Sequence, residues 1–132
     1  MAGTTLYLPI PVDGARFSAG DGHAAQGDGE VSGTAIEAPV EAEVTLAVRD
    51  DLELEWPIAR VDAAWLAFGF DEHLGAAARI AVDGMLDLME REHGLTRQDA
   101  LAFASVVVDL RVTQVVNQVL GVHAVLRDDA LR

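Results

Sequence analysis

The chain has 132 residues and a formal net charge of −13, from 22 acidic residues against 9 basic ones, all of them arginine. Without clustered Lys/Arg there is nothing to release counterions from a phosphate backbone, so nucleic acid and anionic membrane surfaces are excluded as partners. The absence of cysteine excludes disulfides, thiolate nucleophiles and Cys-ligated zinc.

The N-terminus carries no basic, apolar leader, and no run approaches the ~18–20 apolar residues that span a bilayer. A soluble, cytoplasmic protein is expected. Thr4 to Leu8 predicts a short strand, which Pro9 and Pro11 end by removing ladder donors. Asp13-Gly14 marks a turn, and Ala15–Ala19 a second short strand. The glycine-rich stretch GDGHAAQGDGEVSGTAIE, Gly20 to Glu37, follows.

Between Val40 and Val48, apolar residues alternate with Glu41, Glu43 and Thr45, and Leu52 to Ile58 alternates in the same way. A period of two with Asp50-Asp51 between the runs predicts an antiparallel hairpin with one wet face. From Asp71, a plausible N-cap, the period becomes helical: Ala78, Val82, Met85 and Met89 share a core face. Arg79/Asp83 and Asp87/Arg91 are spaced as i,i+4 pairs on the opposite side. Gly94 ends this helix, and Thr96 caps the next with Asp99 in the capping-box position. The second helix is expected from about Arg97 into the apolar run Ala104–Leu110. Val119 to Leu126 then reads as a closing strand broken at Gly121.

The expected fold class is α+β: a β-rich N-terminal part of antiparallel hairpins, sandwich-like, followed by two helices and a short closing strand. The chain reads as one domain over 1–132, with 1–70 mainly β and 71–132 mainly α.

The glycine-rich loop holds the reactive residues. Gly20-Asp21-Gly22-His23-Ala24-Ala25 fits G-x-G-x-x-A, but Gln26-Gly27-Asp28-Gly29 would break the helix that must hold a pyrophosphate, so a dinucleotide site is rejected. Neither Ser18 nor Ser32 stands in G-x-S-x-G, which leaves a serine nucleophile unsupported. Asp21 and His23 are two apart, so an extended backbone puts both on one face, as two ligands of one metal or as a hydrogen-bonded structural pair. A hairpin would bring Glu30 near His23 as a general base. The glycines, Gly27 and Gly29 among them, would let backbone N–H groups approach a developing oxyanion. His73 and His93 are expected at helix ends on the surface, and His123 in a strand.

The stretch GTTLYLPIPVDGARFSAGDGHAAQGDGEVSGTAIE resembles the central signature of the acetamidase/formamidase family. The stretch from Ala78 to Leu126 resembles that family's C-terminal helices and closing segment. The resemblance covers nearly all of the chain, as the C-terminal half of the family's usual length, without the His/Asp-rich N-terminal half. It implies hydrolysis of a small linear amide, such as formamide or acetamide, to ammonia and a carboxylic acid. It also implies a homo-oligomer and a divalent metal, zinc or calcium. On the matching positions it places candidate site residues at Asp21, His23, Gln26 and Glu30. The chemistry assigns Glu30 as acid/base, Asp21 and His23 as metal-site or orienting residues, and Gln26, Gly27 and Gly29 as substrate contacts. The alternative is a truncated, non-catalytic remnant or assembly subunit that keeps the fold.

Overall fold

The computed structural model describes residues 2–130. The chain runs through β1 (Thr5–Tyr7), β2 (His23–Ala25), β3 (Ile36–Glu37), β4 (Ile58–Val61), β5 (Ala64–Asp71), α1 (Leu74–His93), α2 (Arg97–Val107), β6 (Val108–Gln114) and β7 (Leu120–Arg127). The class is α+β, with antiparallel strand pairs, two helices and a closing strand. Five strands form one antiparallel sheet in the order β1-β4-β5-β7-β6. Strands from both ends of the chain therefore share one sheet. Because β1 and β4 are neighbours, everything between Tyr7 and Ile58 is a single long excursion from the sheet edge. A second small sheet, β2 with β3, lies inside it.

The core forms between one face of the sheet and α1. Ala77, Ala81, Met85 and Met89 of α1 are fully buried against Ala67, Val122, Ala124 and Leu126 of the sheet. Small residues set the closest approach. A Cβ on Gly69 of β5 would lie 2.1 Å from the Ala77 carbonyl oxygen and 2.6 Å from the Ala81 nitrogen, so only glycine lets the helix backbone come this near. The two methionines fill the wider space further along the helix.

Several local expectations are corrected. Ala15 and Arg16 have φ of 56° and 51°, in a turn closed by Ala15 N–H to Val12 O, so 15–19 is not a strand. The alternating run 40–48 forms no ladder, and β4 starts only at Ile58. Asp71 ends β5 instead of capping α1: the N-cap is His73, whose N–H donates to the Asp71 carboxylate at 2.8 Å. The carboxylates of α1 gather on Arg97 of α2, which bonds Asp83, Asp87 and, at 3.0 Å, Glu90. Arg91 turns to Glu92.

Gly94, with φ of 65°, ends α1 as expected, and Thr96 caps α2 by accepting from Asp99 N–H at 3.2 Å. The helix stops at Val107, because the β-branched Val106-Val107-Val108 run favours extended backbone. The sequence beyond it forms β6. Gly121 does not break β7. It lies within the strand, where a Cβ would stand 3.1 Å from both the Phe70 ring and Thr113. Among the described residues, no helix is long and apolar enough to cross a membrane.

Candidate functional site

The excursion folds its glycine-rich part into a short antiparallel hairpin in which His23 of β2 stands opposite Glu37 of β3. Gly22 makes this pairing possible. Its carbonyl accepts from Ala38 N–H at 2.9 Å, and a Cβ there would meet Val40 at 2.6 Å and the Ala38 oxygen at 2.7 Å. Asp21 precedes it at φ 60°, a conformation an aspartate tolerates better than most side chains.

His23 is the centre of the cluster. Its Nε2 lies 3.2 Å from Asp21 Oδ1 and 3.0 Å from Glu37 Oε2. The His23 side chain is 14% exposed, while Asp21 and Glu37 remain open at 82% and 57%. The other oxygen of Glu37 is held by Ala35 N–H at 3.3 Å and the Thr34 hydroxyl at 3.4 Å, which aims Oε2 at the ring. One ligand atom from each of Asp21, His23 and Glu37 falls within 4.8 Å of the others. This donor set of one imidazole and two carboxylates fits a divalent cation of the zinc type.

The opposite edge of the ring meets Gln26. His23 Nδ1 is 3.2 Å from Gln26 Oε1, and Gln26 Nε2 donates to Glu30 Oε2 at 3.1 Å. An ionised carboxylate only accepts, so the amide NH2 faces Glu30 and the amide oxygen faces His23. Nδ1 must then carry a proton, which directs Nε2 at Asp21 and Glu37. Polar contacts hold the His23 pKa above its ordinary 6.5: the Gln26 hydrogen bond contributes most, partial desolvation opposes it, and Glu37, Asp21 and Glu30 add to the rise.

Glu30 sits at φ 44° after Gly29 at 91°, a strained geometry for a glutamate. The strain is held by an anchor. Gly29 N–H donates to Thr113 O at 3.2 Å and Val115 N–H donates to Gly29 O at 3.0 Å, pinning the loop to the end of β6. Asp28 pairs with Arg111 at 3.4 Å beside the same anchor. Behind it, the Thr113 hydroxyl bonds His123 Nδ1 at 2.8 Å, and the His123 ring packs on Phe68 with centroids 5.8 Å apart.

The structure thus brings Asp21, His23, Gln26 and Glu30 into one connected chain of contacts. Gly27 accepts the Glu30 N–H at 3.1 Å, and the space where its Cβ would stand is open. Gly29 is buried, with its N–H engaged by Thr113. Glu37 was missed by sequence reasoning, although a turn at Gly33 followed by Ile36-Glu37 could have placed it across from His23. The anchoring roles of Thr113, Arg111 and His123 carry no local sequence signal.

The profile of the Acetamidase/Formamidase family matches residues 1–66, and the chain belongs to that family, one of amide hydrolases. Three solved structures are similar. An acetamidase from Yersinia enterocolitica is 28% identical with TM-score 0.85, over 98% of this chain and 39% of that one. An acetamidase from Bacillus halodurans is 31% identical with TM-score 0.75, over 95% and 42%. A predicted acetamidase/formamidase from Thermoanaerobacter tengcongensis is 27% identical with TM-score 0.83, over 96% and 42%. The chain therefore spans about two fifths of these relatives' length. No curated protein matches it.

Proposed function

We propose that this chain carries the catalytic loop of an amidase that hydrolyses a small linear amide, such as formamide or acetamide, to ammonia and the carboxylate. The observation that supports this most is the continuous line Glu30–Gln26–His23–Asp21/Glu37, in a chain whose family is one of amide hydrolases. Glu30 is the acid/base residue: its carboxylate takes a proton from the attacking water and returns it to the departing nitrogen. Gln26 holds Glu30 through Nε2 and fixes the His23 tautomer through Oε1. Gln26 and Gly27, both exposed, form the substrate-facing rim, while Gly29, buried with its N–H on Thr113 O, is left to shape the turn beneath them and not to contact substrate.

Asp21, His23 and Glu37 are the residues that would hold a divalent metal, and the imidazole favours zinc over calcium, which prefers oxygen ligands alone. Such an ion would act there as a Lewis acid on the amide carbonyl. The expected partners are the amide and further copies of the chain.

The test is ammonia release from formamide and acetamide by the purified chain, with and without zinc. Glu30→Gln should lower the rate about 10²–10⁴-fold with little change in folding. An unchanged rate removes Glu30 from the mechanism. Zinc titration by calorimetry should show a site that His23→Ala abolishes, and equal binding by both proteins removes the metal assignment.

A second reading is favoured by one observation. The excursion exposes many large apolar side chains, Val31, Leu46 and Val48 at 69–81% among them. Such a surface suits an assembly subunit whose site is completed by another polypeptide. A folded, zinc-loaded chain without turnover supports this reading over the first.

A further inference from the structure

Thr113 has no partner in β7. Val112 pairs with Val122 and Gln114 with Gly121, so Thr113 is an extra residue between them, a β-bulge. Its side chain is fixed there. The hydroxyl meets His123 Nδ1 at 2.8 Å, and the Cβ occupies space that glycine at 121 leaves, where an added Cβ would stand 3.1 Å from it. His123 is fixed in turn, because its ring packs on Phe68, its cross-strand partner in β5. Val122 and Ala124 belong to the core against α1, so His123 between them lies on the helix-free face, and Thr113 with it.

The bulge leaves the Thr113 carbonyl to Gly29. Gly29 N–H donates to it at 3.2 Å, and Val115 N–H donates to Gly29 O at 3.0 Å. Among the described residues, these are the backbone hydrogen bonds by which 20–37 reaches the main sheet. The Asp28–Arg111 pair beside them, at 3.4 Å with both side chains more than half exposed, adds little. The next residue is Glu30, and its φ of 44° persists only where the surroundings impose it. The Glu30 N–H donates to Gly27 O and its C=O accepts from Gly33 N–H, both inside the loop, so neither bond places the turn relative to the sheet.

We propose that Thr113 is a positioning residue for Glu30. Held by His123, it sets the bulge, the bulge fixes Gly29, and Gly29 keeps the Glu30 carboxylate 3.1 Å from Gln26 Nε2. Thr113 acts through this turn and not on the amide itself. Its effect on rate rests on the amide-hydrolase reading, whereas its hold on Glu30 does not.

Amide hydrogen exchange and the Gln26 side-chain NH2 resonances of the 132-residue chain test the hold, and ammonia release tests the rate. Thr113→Val keeps the shape of the side chain and removes the hydroxyl. The Gly29 and Val115 amides should then exchange about tenfold faster or more, and the Gln26 NH2 resonances should move towards those of a free glutamine, while the amides of α1 keep their protection. On formamide and acetamide, kcat should fall about tenfold to a hundredfold with KM within about twofold, as for a misplaced catalytic group. Thr113→Ser, which restores the hydroxyl, should restore the wild-type pattern. If Thr113→Val fails to fold, His123→Phe keeps a ring on Phe68, removes Nδ1 and should reproduce the same changes. A wild type without turnover counts against the amide-hydrolase reading alone, and exchange with the Gln26 resonances then decides the positioning. Unchanged Gly29 exchange and Gln26 resonances in a folded variant overturn the proposal. So does a loss of protection shared equally by α1, or a rate loss carried wholly by KM.

Discussion

The excursion between Tyr7 and Ile58 and the body from Ile58 to Arg127 are similarly patterned in sequence and opposite in structure. In the body, alternation at Ile58 to Val61, at Ala64 to Asp71 and in β7 becomes paired strands whose inner residues are buried against α1. In the excursion, Val40, Val44, Leu46 and Val48 alternate just as regularly and stay 59–81% exposed without a ladder. The side chains do not explain the difference. A strand exists only where a neighbour closes its hydrogen bonds and a layer covers its apolar face. The body has both, and the excursion is held at a few points. Those points carry the candidate site, as long connections in a compact fold commonly do.

Substitutions can break this contrast, the largest effects lying in the body. Gly69→Val drives a side chain into the α1 backbone and should cost about 3 kcal/mol or more in chemical denaturation. Met85→Ala, which empties a fully buried position, should cost about 2–4 kcal/mol by the same measurement. In the excursion the expectation reverses. Gly22→Val collides with Ala38 O and Val40, so the His23–Glu37 pairing should be lost, seen as displaced His23 ring resonances, while the unfolding free energy falls by only about 1 kcal/mol.

A smaller effect is expected where the two regions meet. Burial holds the His123 pKa below its ordinary value; Asp28 opposes this and Arg111 adds to it. The unfolded chain takes up this proton first as pH falls. Stability from this group is therefore complete above about pH 6.5 and declines as pH drops through that value towards the folded pKa. His123→Gln should flatten that slope in melts recorded from pH 8 to 5. Smallest of all, Val44→Ser should shift stability by no more than about 0.5 kcal/mol, and a larger loss would show that the run is covered in solution.

Much of the body was legible in the sequence. The 3.6-residue spacing of Met85 and Met89 located the buried face of α1, and Gly94 and Thr96 located the break between the helices. β6 was not legible, because Ala104–Leu110 is one apolar run that reads equally as helix or strand. Where the two meet was decided by pairing with β7, a long-range contact. For the site, Asp21, His23, Gln26 and Glu30 were legible through their spacing and the family's signature. Glu37 escaped because it joins His23 across a hairpin whose register depends on Gly22 and Val40.

The contact of Gly29 with Thr113 and Val115 has a consequence in chain entropy. Without it, the segment from Tyr7 to Ile58 is one loop whose ends happen to be neighbours. With it, the same chain becomes two shorter loops sharing a fixed point. Closure entropy grows only with the logarithm of loop length, about 0.6 kcal/mol per doubling, so two backbone hydrogen bonds are on the scale needed to hold the division. Residues added on either side of Gly29, away from 20–37, should be tolerated. A residue inserted at the fixed point itself would release both loops at once.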